Sequence, residues 1–175
     1  MTDYVYIGIG SNLGSRSQHL ESAVRALEEI DDATVVRRSR LYESAPLGPA
    51  QPRFLNAAVQ MECGLAPQEL LSILKQIELD QGRQRTDRWG PRSLDLDILL
   101  WDNQVVADAN LQIPHLELHK RRFALEPLCD LAPTAKHPLL GKSMSELLQR
   151  VLAQDVVRLA SRDWPWALRV GASGQ

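Results

Sequence analysis

Residues Arg83 to Leu100 read RQRTDRWGPRSLDLDILL, four arginines and then two aspartates in an apolar run. Strand alternation sends Leu94, Leu96 and Ile98 to one face and Asp95 and Asp97 to the other. Two carboxylates on one strand face, roughly 7 Å apart at their Cα atoms, repel each other unless a cation lies between them. Magnesium takes hard oxygen ligands, commonly one or two carboxylates together with substrate phosphates. Arg83, Arg85, Arg88 and Arg92 carry planar forks that grip phosphate oxygens in pairs. An acidic strand behind an arginine-rich loop is thus the donor set of a metal–polyphosphate site. A DxD strand face alone is more often a solvated face paired with nearby arginines. Trp89, Gly90 and Pro91 weigh against that here, because they fix a stiff aromatic turn where the charge changes sign.

Three other stretches imitate chemistry. YIGIGSNLGS, residues 6–15, has glycines at a strand–helix junction, the outline of a dinucleotide turn. Such a fold wants an acidic residue closing the second strand to bind a ribose hydroxyl, and that region reads VVRRSR. The glycines are read instead as the turn between first strand and first helix, with Ser11 and Asn12 making local backbone hydrogen bonds. LLGKS, residues 139–143, ends like a phosphate-binding loop, but Lys136 stands where that loop needs glycine, so Ser143 is read as a helix cap. HLELH places His115 and His119 four residues apart, a zinc spacing on a helix. Pro114 leaves His115 at the edge of any helix, and the two histidines are read as solvent-facing or separately employed.

The elements that must carry these residues follow from periodicity. Strands are expected at Tyr4 to Ile9, Thr34 to Glu43, Phe54 to Glu62 and Leu94 to Trp101, with a short one at Val105-Val106. A helix starts at Ser15 or Ser17, with Leu20, Val24, Leu27 and Ile30 as its stripe and an acidic end that opposes the helix dipole. A second runs from Pro67 to about Gln81 and stops at Gly82. Further helices are expected from about Leu118 to Leu128 and from Ser143 to Ala153, the latter with Ser143 and Glu146 as a capping box. SAPLGPAQPR, residues 44–53, can only be a surface loop. This order predicts an α+β domain, βαββαβ with an antiparallel sheet and extra C-terminal helices. A purely parallel sheet fits poorly, since TVVRRSRLYES carries three arginines.

The whole chain bounds the function. Its 175 residues are expected to form one domain over 1–160, followed by a tail, 161–175, without an assigned role. A net charge of −2 argues against broad neutralisation of nucleic acid. No apolar run reaches the ~18 residues of a membrane span, and no secretion signal is visible. Cys63 and Cys129 lack CxxC partners and are read as reduced, buried thiols of a cytoplasmic protein.

RWGPRSLDLDILL is similar to the signature of the 6-hydroxymethyl-7,8-dihydropterin pyrophosphokinase family. IGSNLG, APLGP…QPRFLNAAV, IELDQGR and IPHLELHKRRFALEPL resemble that family's other blocks in the same order, over about residues 4 to 135. The resemblance implies a ferredoxin-like fold and magnesium-dependent transfer of pyrophosphate from ATP to the pterin's hydroxymethyl oxygen, with release of AMP. By position it implies that Asp95 and Asp97 bind two magnesium ions, and that Arg83 and Arg92 assist transfer. Glu78, Arg85, Arg88, Trp89, Arg92, Ile98, His115 and Arg121 fall on the ATP side. Phe54 and Phe123 would sandwich the pterin ring and Asn56 would read its amide edge, with Ser44, Ala45, Leu47, Trp89 and Asp95 around them. A monomer with ATP and the pterin as its partners is expected. Lys75, Asn110 and Leu116 depart from the residues usual at their places. No general base stands out; Asp97 or water is left to take the hydroxyl proton. An RNA-binding module on the same fold would need exposed aromatics on its central strands, where LDLDILL presents aspartates.

Overall fold

Alternation along the first strand builds the centre of the sheet. Val5, Ile7 and Ile9 are buried in one apolar layer, while Tyr6 belongs to a second layer on the opposite face. The computed structural model describes residues 3–82, 93–159 and 164. In chain order they form β1 (Tyr4–Ser11), α1 (Arg16–Glu28), β2 (Ala33–Arg38), β3 (Leu41–Ser44), β4 (Phe54–Cys63) and α2 (Pro67–Asp80). There follow β5 (Asp95–Trp101), β6 (Val106–Ala107), β7 (Gln112–Ile113), a 3-10 turn at Leu118–Lys120, α3 (Arg122–Leu131), α4 (Met144–Gln149) and β8 (Val156–Leu159).

Six of these strands make one antiparallel sheet in the order β5-β1-β4-β3-β8, with β2 also paired to β4. β6 and β7 form a separate two-stranded ribbon. Helices α1 and α2 cover one face through Leu20, Val24, Leu27, Leu70, Leu74 and Ile77. Helices α3 and α4 cover part of the other through Leu125, Leu128, Met144 and Leu147. Each fully buried aliphatic side chain contributes roughly 1.5–3 kcal/mol, so these two layers hold the sheet between them. Among the described residues no helix is long and apolar enough to cross a membrane.

Several expected elements change shape. The single strand over Thr34 to Glu43 is two, because β4 is long enough to pair with β2 along one half and β3 along the other. The break at Ser39 is stitched by its own hydroxyl, which accepts the Ala58 amide at 2.8 Å, while the Ser39 amide donates to the Ala58 carbonyl at 2.9 Å. The helix expected from Leu118 is a 3-10 turn and then α3, which carries Pro127 inside it. The last helix begins at its cap as expected: Ser143 Oγ accepts the Glu146 amide at 3.1 Å and Glu146 Oε2 accepts the Ser143 amide at 2.8 Å. It ends at Gln149, not Ala153, and the chain then adds β8 to the sheet edge, a strand the periodicity did not announce.

The glycines of residues 6–15 do not all serve the turn expected of them. Gly8 and Gly10 lie inside β1, paired on both sides, and only Gly14, at φ +69°, makes the turn. Ser11 Oγ is buried without a hydrogen-bond partner, so its local role is not seen. Asn12 works at long range: its side-chain amide donates to Gln51 Oε1 at 2.8 Å and to the Pro52 carbonyl at 3.0 Å. Both cysteines are free; Cys63 is buried, whereas Cys129 is only half-buried. Trp164 is buried in the α1 side of the core, where its indole donates to the Ser39 carbonyl at 2.8 Å and the Arg38 guanidinium lies 5.0 Å from the ring centre.

Candidate active site

The sheet face under α3 is only half covered. At one end Tyr6 and Ala58 are sealed by α3 and α4; at the other, Gly8, Gly10, Asn56, Asp95 and Asp97 floor a cavity of about 550 Å³. Register explains the floor. Gly10 lies opposite Asp95 on one side and Asn56 on the other, and Gly8 lies opposite Asp97. With Asp95 and Asp97 along one side, the two glycines leave a trough along β1. A Cβ on Gly10 would stand 3.1 Å from Asn56 Oδ1 and one on Gly8 would stand 3.1 Å from the Leu99 side chain.

Strand β5 supplies the carboxylates, as its alternation requires: Leu94, Leu96 and Ile98 are buried on the helix side, while Asp95 and Asp97 are half-buried on the cavity side. It is an edge strand, so alternate amides point away from β1. The Leu96 amide is met there by Glu78 Oε2 at 2.9 Å, from α2. Glu78 is 5% exposed and fixes the strand between the two aspartates; it is no surface charge.

His115 sits across from Asp97, with Nε2 3.9 Å from Oδ1. Its backbone amide donates to the Leu99 carbonyl at 2.9 Å, and its Nδ1 accepts the Glu117 amide at 3.1 Å. An Nδ1 that accepts places the neutral ring's proton on Nε2, on the Asp97 side. Burial, and then the Arg121 cation, push this imidazole below its ordinary value, against the opposing pull of Asp95 and Glu117. The contact at 3.9 Å therefore joins a neutral ring to a carboxylate and is no ion pair at neutral pH. His119 turns elsewhere, its ring edge-on to His137 at 6.2 Å. The two histidines are separately employed.

The opposite wall is aromatic. Phe54 begins β4 and Phe123 lies in the first turn of α3, both half-buried and both lining the cavity, and the Arg121 guanidinium lies 5.7 Å from the Phe123 ring centre. Asn56 donates one amide hydrogen to Ser44 Oγ at 2.7 Å, which fixes the side chain and leaves its other N–H and its Oδ1 for a ligand. Ala45, Leu47 and Gln51 of the proline-rich loop close that side.

Every described residue that the family resemblance implies for the site lines this one cavity. They are Asp95 and Asp97, the implied metal ligands, Glu78, Ile98, His115 and Arg121 of the implied ATP side, and Ser44, Ala45, Leu47, Phe54, Asn56 and Phe123 of the implied pterin side. Arg83, Arg85, Arg88, Trp89 and Arg92 lie outside the described residues. Lys75, Asn110 and Leu116 also line it. The sequence reading missed Gly8 and Gly10 as the floor. Their signal was present, since period-2 alternation from Ile7 and Ile9 already puts both glycines on the face opposite the core. As for a metal, two half-buried carboxylates beside open space suit a hard divalent cation that completes its shell with substrate oxygens. Among the described residues no group of three or more metal-binding side chains exists, which such a shared cation does not require.

Comparisons with known proteins agree on a family. The sequence model of 7,8-dihydro-6-hydroxymethylpterin-pyrophosphokinase matches residues 6–133. A Pseudomonas aeruginosa 2-amino-4-hydroxy-6-hydroxymethyldihydropteridine pyrophosphokinase is 44% identical over 160 residues, 91% of this chain and 98% of that protein. The Bacillus subtilis protein of the same name is 42% identical over 132 residues, covering 75% of this chain and 79% of the other. An Arabidopsis thaliana mitochondrial folate synthesis bifunctional protein is 47% identical over 132 residues, 75% of this chain but 24% of that one. In structure the chain resembles Plasmodium falciparum HPPK-DHPS, with a TM-score of 0.67 at 17% identity over 85% of this chain and 43% of that one. It thus spans less than half the length of that solved protein, and the likeness speaks for the fold alone.

Proposed function

The chain belongs to the 7,8-dihydro-6-hydroxymethylpterin-pyrophosphokinase family, and from that premise we propose that it transfers pyrophosphate from ATP to 6-hydroxymethyl-7,8-dihydropterin in folate synthesis. The observation that carries this reading is the single cavity. It offers an aromatic slot with an amide at its edge, and a pair of carboxylates beside a histidine and an arginine. A flat heteroaromatic ring and a polyphosphate are the two shapes that such a pair of subsites fits.

The pterin ring enters between Phe54 and Phe123, with Asn56 on its amide edge and Ser44 holding Asn56 in place. The hydroxymethyl group then points along the β1 trough toward Asp95 and Asp97. The new bond forms between the hydroxymethyl oxygen and the β-phosphorus of ATP. The bond from that phosphorus to the oxygen bridging toward the α-phosphate breaks, and AMP leaves with that oxygen. The hydroxyl proton passes to Asp97 or to water. His115 offers a neutral Nε2–H donor beside the carboxylates, and Arg121 a guanidinium. Arg83 and Arg92 assist transfer, Arg85 and Arg88 stay with the nucleotide, and Trp89 serves both the nucleotide and the pterin. Asp95 and Asp97 would hold the magnesium, two ions by this reading, which when bound supplies charge neutralisation for the phosphates. Catalysis here is chiefly positioning and charge stabilisation.

The order β5-β1-β4 with β2 and β3 beyond, and α1 and α2 on one face, supports a ferredoxin-like reading of the first part of the chain. Helices α3 and α4 and strand β8 are additions, of which α3 walls the site through Phe123 and Ala124. The direct test is Asp97→Ala in the full chain, with AMP release measured in the presence of the pterin and magnesium. Transfer should nearly vanish while the folded spectrum stays. Turnover near the wild-type rate would overturn the metal assignment.

A further inference from the structure

The segment Leu152 to Asp155, between α4 and β8, lies beyond the residues 6–133 that the family model matches. It touches the backs of both aromatic walls. On the α3 side, the Arg122 amide donates to Gln154 Oε1 at 2.8 Å, and Arg122 Nη1 donates to the carbonyls of Leu152 and Gln154 at 2.8 and 2.9 Å. Gln154 Nε2 in turn donates to the Lys120 carbonyl at 2.7 Å. On the β4 side, the Arg53 guanidinium takes both oxygens of Asp155, at 2.7 and 3.2 Å, and the Ala45 amide donates to the Asp155 carbonyl at 3.3 Å.

Arg122 immediately precedes Phe123, and Arg53 immediately precedes Phe54. Two consecutive residues, Gln154 and Asp155, therefore bind the residues next to the two rings, Gln154 through the Arg122 amide and Asp155 through the Arg53 guanidinium. Glu43 completes the anchorage. Its carboxylate takes Arg53 Nε at 3.1 Å and Arg16 Nη2 at 2.8 Å, while Arg16 Nη1 donates to the Arg53 carbonyl at 2.9 Å. Arg122 is steadied likewise by Glu126 at 2.9 Å.

We propose that residues 152–155 are a brace that sets the width of the slot between Phe54 and Phe123, which makes Gln154 and Asp155 positioning residues for the ring-binding half of the site. The proposal rests on the pterin reading for its functional consequence but not for its geometry. Each of these side-chain bonds is exposed and weak alone, and together they tie the first residues of β4 and α3, in addition to the direct packing of α3 on β4 in the apolar layer of Ala58, Leu125 and Leu128. A slot of fixed width needs no reordering when a flat ring enters, and preorganisation of that kind appears as affinity.

The chain has only two phenylalanines, so uniform 4-fluorophenylalanine labelling gives two fluorine resonances, one from each wall. In the ligand-free full chain, the Gln154→Ala/Asp155→Ala variant should shift and broaden both. Resonances that stay where the wild type has them would overturn the brace. In binding titrations, the same variant should lose affinity for 6-hydroxymethyl-7,8-dihydropterin by about tenfold while its affinity for ATP with magnesium stays within about twofold. An equal loss for both ligands would mark a merely structural role and overturn the positioning claim. The Asp155→Glu variant, which keeps a carboxylate for Arg53, should retain most of the pterin affinity. If pterin leaves both wild-type resonances unmoved, the pterin reading falls, and the ligand-free comparison still decides the brace.

Discussion

Substituting Gly10 by alanine places a methyl group against the amide of Asn56. The ideal Cβ would stand 3.1 Å from Asn56 Oδ1 and 3.7 Å from Phe54 Cδ1. The oxygen must therefore retreat by a few tenths of an ångström. Asn56 is 5% exposed and its Nδ2 is held at 2.7 Å by Ser44 Oγ, so the amide yields mainly by twisting out of that bond. Gly10 is an ordinary strand residue paired with Asn56 and Asp95, without a positive φ. Alanine there carries no backbone strain, and its smaller unfolded-state entropy offsets part of the steric cost by roughly 0.4–1 kcal/mol. Stability should change little. What is lost is one well-aimed hydrogen bond to the ring edge, about 1–1.5 kcal/mol, or close to a tenfold rise in the KM for the pterin. The KM for ATP should stay where it was. Steady-state kinetics with each substrate varied in turn reads both. Gly8→Ala is the control: its methyl meets the flexible end of Leu99, so it should cost on the order of 1 kcal/mol in stability without separating the two KM values. Parallel rises in both KM values for Gly10→Ala, or none in either, would refute the trough and the part assigned to Asn56.

Other substitutions probe what positions the site. Glu78→Ala leaves the Leu96 amide on the edge of β5 without this acceptor and should cost about 1–3 kcal/mol in urea unfolding; Glu78→Gln keeps an acceptor and should cost less, and equal losses would contradict that role. Ser143→Ala removes half of the α4 capping box, with an expected loss near 1 kcal/mol read as a drop in Tm of about 2–4 °C. His137 gives a pH dependence, since its Nδ1 accepts the amides of Leu139 and Leu140, both at 3.2 Å. Burial first, and then His119, hold its folded pKa below the ordinary 6.5. The unfolded chain thus binds the proton more readily, and this stability is present above about pH 6.5 and lost as pH falls through the folded value. Unfolding free energies for His137→Asn, which offers an amide oxygen in place of Nδ1, should show a flatter slope between about pH 7 and pH 5; an unchanged slope would assign the dependence elsewhere.

Period-2 alternation made β5 and its two aspartates legible, because a strand with one buried face can take only one register. Pro67, Gly82 and the Ser143–Glu146 box likewise announced helix ends through local chemistry that no tertiary contact had to supply. The glycines of β1 misled because flexibility suggests a turn, whereas here they are needed for smallness next to Asn56 and Leu99. The part Glu78 plays in holding β5 was silent because its partner is a backbone amide, which carries no residue-type signal. β8 was hidden for a related reason. Val156–Leu159 is short, and its strand character comes from the edge of β3 rather than from its own pattern. The break at Ser39 was equally silent, since it depends on how the length of β4 is shared between two partners.

The central claim is that this chain moves a pyrophosphoryl group to a pterin alcohol, and product identity tests it most directly. The full chain is incubated with ATP, magnesium and 6-hydroxymethyl-7,8-dihydropterin, and both products are identified by mass. AMP and the pterin carrying pyrophosphate should appear in equal amounts. ADP with a singly phosphorylated pterin, or ATP left unconsumed beside a folded protein, would contradict that claim.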